Sequence, residues 1–236
     1  YGLGNRRPLV LERLEIRALL TAGFPDVVIA GTAGDDDLVL DTDPADANLL
    51  RVWSTNGSMP SVSFAKSGLV SLAIDGGGGT DSVTVATDVA LGGGAMLFEA
   101  ESITIGAGTS ISGAGQVTLL AVAQGSLTAA GTAATVDLQA RILVAGNITT
   151  AGSLRIEARV DHSAVLDGVG SSLTSTSAAV AQIGGSAVVS AGTVHLTAHT
   201  DANITADASG SLLGAINIIV DNQTHAGILG GAKVSA

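Results

Sequence analysis

SLRIEAR, residues 153–159, alternates side chains one by one: Leu154, Ile156 and Ala158 on one parity, Arg155, Glu157 and Arg159 on the other. A period of two belongs to a β-strand with one buried face, because successive Cβ atoms point to opposite sides of the pleat. The pattern returns in QVTLLAV (116–122), TVDLQAR (135–141), TVHLTAH (193–199) and INIIVD (216–221), with a weaker copy in SLTSTSA (172–178). The first apolar positions are Val117, Val136, Leu154, Leu173, Val194 and Ile216, spaced by 19, 18, 19, 21 and 22 residues. The second are Leu119, Leu138, Ile156, Ser175, Leu196 and Ile218, and a third is usually Ala, as at Ala121, Ala140, Ala158 and Ala198. A strand every ~20 residues with Gly- or Ser-rich corners predicts a coil stacked rung on rung, since one rung cannot bury its apolar edge alone. Stacking sets like residues over like and pairs each backbone with the rungs above and below. The expected fold is all-β, a right-handed parallel β-helix (β-solenoid) of ~20-residue rungs. An antiparallel β-sandwich also spaces strands regularly and stays open as the alternative.

Composition favours thin, regular layers. Glycine is 32 of 236 residues and the aromatics are only Tyr1, Phe24, Trp53, Phe64 and Phe98, yet 46% of the chain is hydrophobic. The core must therefore be built from Val, Ile, Leu and Ala, whereas a sandwich would use aromatic filling and sharper hairpins. A net charge of −11 argues against a nucleic-acid partner, whose phosphates need a basic face. Cysteine is absent, which removes disulfides and thiolate metal sites. The most apolar window, LLGAINIIV at 212–220, is far short of the ~18 residues of a membrane helix, so no membrane span is expected in this stretch.

Three regions follow. Residues 1–22 carry four of the ten Lys+Arg, at Arg6, Arg7, Arg13 and Arg17, and read as a short N-terminal helix starting at Pro8. Residues 23–90 hold Pro25, Pro44 and Pro60, most of the acidic cluster and short alternating runs such as LVLD, LLRVWS and DSVTVA. Residues 91–236 are the repeats. The chain opens on Tyr1 and stops inside repetitive sequence, so we expect a longer parent chain that continues the coil.

ERLEIRALL (12–20) resembles the LEPR-XLL motif near the N-terminus of very long, repetitive bacterial surface proteins. The motif would be Leu14, Glu15, Ile16 in place of the family's Pro, Arg17, Ala18, Leu19 and Leu20. The resemblance implies a sorting role for the segment and an extracellular or cell-surface destination for the rest. An ordinary charged helix capping the open end of a solenoid fits the same residues. The repeats, on units such as SAGTVHLTA and AGSLRIEA, are similar to filamentous-haemagglutinin-type adhesins.

GTAGDDDLV (31–39) and GGGGTDSVT (76–84) approach the nonapeptide G-G-x-G-x-D-x-U-x and resemble units of the RTX calcium roll. The resemblance implies Ca²⁺ held by Asp35, Asp36, Asp37 and Asp81, with Asp41 and Asp43 behind them, since hard oxygen ligands suit that ion. Roll sites need tandem copies, and these units lie 45 residues apart; isolated copies serve as Gly-Asp turns. His195 and His199 share one face of a strand about 13 Å apart, too far for one metal. The alignment sets Asp137 beside Arg155, and Arg141 beside Arg159. No GxSxG, HExxH or P-loop occurs, and no catalytic residue is assigned. The expectation is a non-enzymatic secreted or cell-surface structural protein or adhesin that binds extracellular or cell-surface ligands. A calcium-dependent module folding on secretion and a carbohydrate-active β-helix with paired carboxylates in a groove are the alternatives.

Overall fold

The computed structural model describes residues 26–130, 133–167, 172–207 and 217–236. The expected N-terminal helix and the motif residues Leu14, Glu15, Arg17, Leu19 and Leu20 lie outside the described residues, as does Ile216. Within them the chain forms nineteen strands and no helix. In order these are β1 (Val27–Ala30), β2 (Asp37–Thr42), β3 (Leu49–Ser54), β4 (Val62–Ala65), β5 (Leu72–Asp75), β6 (Ser82–Val85) and β7 (Val89–Ala90). There follow β8 (Ala95–Ala100), β9 (Ser102–Ile105), β10 (Ser110–Ala114), β11 (Gln116–Ala130), β12 (Ala133–Val144) and β13 (Asn147–Thr150). The last are β14 (Ser153–Asp167), β15 (Ser172–Ile183), β16 (Val188–Ser190), β17 (Thr193–Asp207), β18 (Asn217–Ile228) and β19 (Lys233–Ser235).

Three sheets collect them. The first runs β1-β5-β8-β11-β14-β17, the second β18-β15-β12-β9-β6-β2-β3-β4, and the third β19-β16-β13-β10-β7. From β5 onward the chain visits first, second and third sheet in that order five times. Every pairing is parallel except β2 with β3 and β3 with β4, an antiparallel meander that closes one end of the second sheet. The alternation read from SLRIEAR holds: Leu154, Ile156, Ala158 and Val160 are fully buried while Arg155 and Arg159 are exposed. One apolar cluster runs from Ile29 to Ala191 and crosses residue 90 without a break.

The ~20-residue rung holds before β11, where Val83 lies beside Ile103 and Met96 beside Val117, 20 and 21 residues apart; among the six aligned segments it needs correction. In the first sheet Val117 lies beside Leu154, and Leu154 beside Val194, which are 37 and 40 residues apart. TVDLQAR and SLTSTSA belong to the second sheet, where Val136 pairs with Ser175 and Leu173 with Ile218. The six look-alike segments therefore alternate between two sheets. Strands facing one another across a core need the same alternation, so the pattern could not tell a facing strand from a stacked neighbour. Asp137 and Arg155 are consequently not partners, nor are Arg141 and Arg159: Asp137 sits beside Thr176, Arg141 beside Val180 and Ser102, and Arg159 beside Val122 and His199. Arg155 pairs instead with Glu157, and Arg159 Nε with Asp161 Oδ2 at 2.6 Å, each along its own strand.

The strands lengthen abruptly at β11. Only Gln116–Ala121 of β11 pair with β8, and only Arg141–Val144 of β12 pair with β9. The intervening parts of β11 and β12 overhang the corner at Glu101, and β14, β15, β17 and β18 extend alongside them. The overhang is a two-layered fin with its own small core of Ala164, Leu166 and Leu173, packed by Leu127, Ala134, Val136 and Ile204.

Candidate functional site

The two glycine-aspartate units meet in space. Asp37 pairs with Ser82 and Leu38 with Val83, so units 45 residues apart in sequence lie side by side in the second sheet. Glycine is required where their turns touch: a Cβ on Gly31 would stand 1.9 Å from the Gly76 carbonyl oxygen, and one on Gly77, at φ +98°, 2.1 Å from that of Thr32. The sequence spacing made the units look isolated; the fold makes them neighbours.

Their carboxylates tie turn to turn. The Asp36 N–H donates to Asp81 Oδ1 at 2.9 Å, and the Asp81 N–H donates to Glu101 Oε2 at 2.7 Å. Asp35 Oδ1 accepts from the Thr80 N–H and Asp37 Oδ1 from the Ser82 hydroxyl, each at 2.8 Å. Asp36 Oδ2 accepts from the Thr32 N–H at 2.5 Å and hydroxyl at 2.9 Å, while its Oδ1 is buried without a hydrogen-bond partner. Asp41 is held by Arg51, at 2.9 and 2.6 Å, and by the Trp53 indole N–H at 2.9 Å; Asp43 accepts from Ser63 and from the Ala45 N–H. Ca²⁺ takes six to eight oxygens converging on one point. Here the oxygens of Asp35, Asp36, Asp37 and Asp81 are spread along the stack and mostly engaged with donors, and among the described residues no group of three His, Asp or Glu is disposed to hold a metal ion. The arrangement fits lateral ties better than a calcium cage.

Asp36, Asp81 and Glu101 form a column of acids on successive turns, with Asp81 in the middle. Burial pushes the Asp81 carboxyl up to about 6, helped by the charges of Glu101, Asp36 and Asp35 and opposed by the Asp36 N–H. For Asp36 burial works the same way, but hydrogen bonds from Ser58 and from Thr32 outweigh it and hold the group below the usual carboxylate range. The column borders a cavity of about 430 Å³ beneath the fin, whose floor holds Asp37, Asp81 and Glu101 and whose overhang carries Gln124, Asp137 and Arg141.

A second cavity of about 570 Å³ opens at the neck of the fin, over the middle of β11, β14 and β17. Register places Gln124, Asp161 and Asp201 side by side, and likewise Ser126, Ser163 and Asn203. Behind them the inward row reads Gly125, His162, Ala202. His162, 5% exposed, shares a hydrogen bond with the buried Ser175 hydroxyl at 2.9 Å through Nε2, and Ser177 donates to Asn222. His162 Nδ1 and Asp161 Oδ1 are buried without partners. This polar belt separates the main core from the fin core. The sequence carried one sign of it, the serines of SLTSTSA at inward positions, and nothing that joined them to His162. His195 and His199 lie exposed on one face of β17.

Comparison with protein-family models, with curated proteins and with solved structures returns no match for this chain.

Proposed function

We propose that the chain is part of a right-handed parallel β-solenoid serving as a non-enzymatic structural or adhesive component outside the cell or on its surface. The observation that carries the reading is the repeated first–second–third sheet order, kept in parallel register over five circuits. Such an array grows by adding turns at no cost to those already stacked, which suits a rod that projects binding parts away from a surface. The last turn supports it. Val194, Leu196 and Ala198 of β17 are only half-buried, and Ile218, Val220 and Ile228 of β18 are exposed at inward positions. A further turn stacked on β17 and β18 would cover them. The tag at residues 12–20 would direct export. Cell fractionation with surface proteolysis of the parent protein tests this: deletion of residues 1–22 is expected to retain it inside the cell, and a parent found only in the cytoplasm would refute the reading.

One observation favours a carbohydrate-active β-helix as the second reading: the cavity beneath the fin brings Asp37, Asp81, Glu101 and Asp137 together with Arg141. Paired carboxylates in a cleft suit glycosidic-bond chemistry. Incubation with a polysaccharide panel, followed by reducing-end analysis, decides it; products lost in both Asp81→Asn and Glu101→Gln would promote this reading to first.

A further inference from the structure

We propose that Asn203 is an acceptor of N-linked sugar, presented to a glycosyltransferase with Asp201 and Thr205 on the outer side of β17. An asparagine with Ser or Thr two positions later is the acceptor pattern of N-glycosylation when the residue between is not Pro. The chain holds seven asparagines, and four of them meet the pattern: Asn56-Gly57-Ser58, Asn147-Ile148-Thr149, Asn203-Ile204-Thr205 and Asn222-Gln223-Thr224. Ser and Thr make up 44 of 236 residues, so chance placement would supply about one.

The fold sorts the four. Three of the carboxamides tie one segment of the coil to another. Asn56 Nδ2 donates to the Asp35 carbonyl at 2.7 Å, Asn147 Oδ1 accepts from the Val188 N–H at 2.8 Å, and Asn222 Oδ1 accepts from the Ser177 hydroxyl. Packing alone accounts for an asparagine at each of those places. Asn203 makes no such tie among the described residues. It lies exposed on β17 between Asp201 and Thr205, both exposed too, while Ile204 packs inward on the fin core. The two-residue period of the strand therefore lines up a carboxylate, a carboxamide and a hydroxyl on one face, about 6.7 Å from one to the next. Stability does not explain the line either. Asp201 stands beside Asp161, where like charges repel, and the nearby Arg159 is already paired with Asp161. The lateral neighbour of Asn203 is the exposed Ser163, so a sugar on Nδ2 leads into solvent past a small side chain.

The transfer is a substitution at the anomeric carbon of a glycosyl phosphate donor. The bond from that carbon to Asn203 Nδ2 forms and its bond to the phosphate oxygen breaks. The phosphate leaves with the bonding pair, and one amide proton passes to a base on the transferase. The assignment rests on the surface reading only for where the parent protein meets that enzyme, and the two fail separately: fractionation reports location, whereas mass reports the amide. The parent protein is purified from the cells that make it and cut on the N-terminal side of aspartate. That frees Asp201–Ala206 with Asn203 as its one asparagine and leaves the other three acceptor patterns on separate peptides. Tandem mass spectrometry is expected to find Asp201–Ala206 heavier by whole sugar residues, with the increment on Asn203, and the peptides of Asn56, Asn147 and Asn222 unmodified. A single sugar would mark a nucleotide-linked donor and a preassembled oligosaccharide a lipid-linked one; both fit the assignment. Asn203→Gln and Thr205→Ala, at exposed positions, are each expected to remove the increment with the melting curve kept, and Thr205→Ser to retain it. An unmodified Asn203 wherever the parent is found, an increment that survives Thr205→Ala, or equal modification of all four asparagines would each overturn the assignment.

Discussion

At the scale of single residues, position on the pleat decides consequence. Ile156 is fully buried between Leu119 and Leu196, so Ile156→Asp places a charge where nothing can pair with it. The expected outcome in chemical denaturation is loss of the cooperative transition. One residue on, Glu157 faces outward and pairs with the exposed Arg155; Glu157→Lys is expected to cost well under ~1 kcal/mol. Asp81 links the acid column to pH. The folded chain holds a proton there up to about pH 6, whereas the unfolded chain has released it above about 4. Stability therefore falls as pH rises through that window, by at most about 3 kcal/mol. Asp36, whose carboxyl is held low, works the other way: its contribution is present at neutral pH and is lost on acidification below the ordinary carboxylate range. Asp81→Asn keeps the oxygen that accepts from Asp36 and removes the charge. Thermal melts from pH 4 to 8 are expected to show a higher melting temperature for the variant at pH 7 and a flatter profile between 4 and 6; an unchanged profile would refute the account. Millimolar Ca²⁺ is expected to shift the wild-type melt no more than Mg²⁺ does, and a saturable calcium-selective gain that disappears in Asp36→Ala or Asp81→Ala would establish the calcium site.

Elements depend on how they touch. The glycine turns that open β2 and β6 stack so closely that Gly77→Ala would force a side chain into the Thr32 carbonyl on a backbone of positive φ. A loss above about 2 kcal/mol is expected, measured by urea unfolding. At the neck of the fin the His162 ring and the Ser175 hydroxyl share a hydrogen bond between the two layers. Ser175→Ala removes that partner from a buried ring and is expected to cost about 1–3 kcal/mol. Hydrogen exchange should place the loss in β14, β15 and the fin core of Leu166 and Leu173, with the main core around Ile111, Val144 and Val189 still protected. Equal deprotection throughout would show that the fin is not a separable unit.

For the whole molecule the consequential feature is that β17, β18 and β19 are the outermost strands of their sheets among the described residues. Unpaired strand edges and exposed inward Ile218, Val220 and Ile228 make a template for another turn. The chain by itself is expected to associate through that end in sedimentation velocity, and Ile218→Lys with Val220→Lys to restore the monomer. Association that persists unchanged in the double variant would place the contact elsewhere.

The amino-acid sequence determined by itself the strand state and the inward face of the aligned segments such as SLRIEAR. Leu154 and Ile156 inward, Arg155 outward, were legible because side-chain alternation is a local property of the pleat, and the shortage of aromatics restricted the layers to Val, Ile, Leu and Ala. Only the tertiary structure decided which strands are neighbours. Leu154 sits beside Val194, 40 residues on, and the two glycine-aspartate units meet across 45, because the length of chain between neighbouring strands of one sheet is set by what the other two sheets and the corners take up. The site followed the same division. The acids at 35–37 and 81 were visible as types; the service of Asp81 as acceptor for the preceding turn's Asp36 N–H and of Asp35 for the next turn's Thr80 N–H, the column with Glu101, and the meeting of His162 with Ser175 arise from stacking, which brings together residues that no spacing along the chain connects.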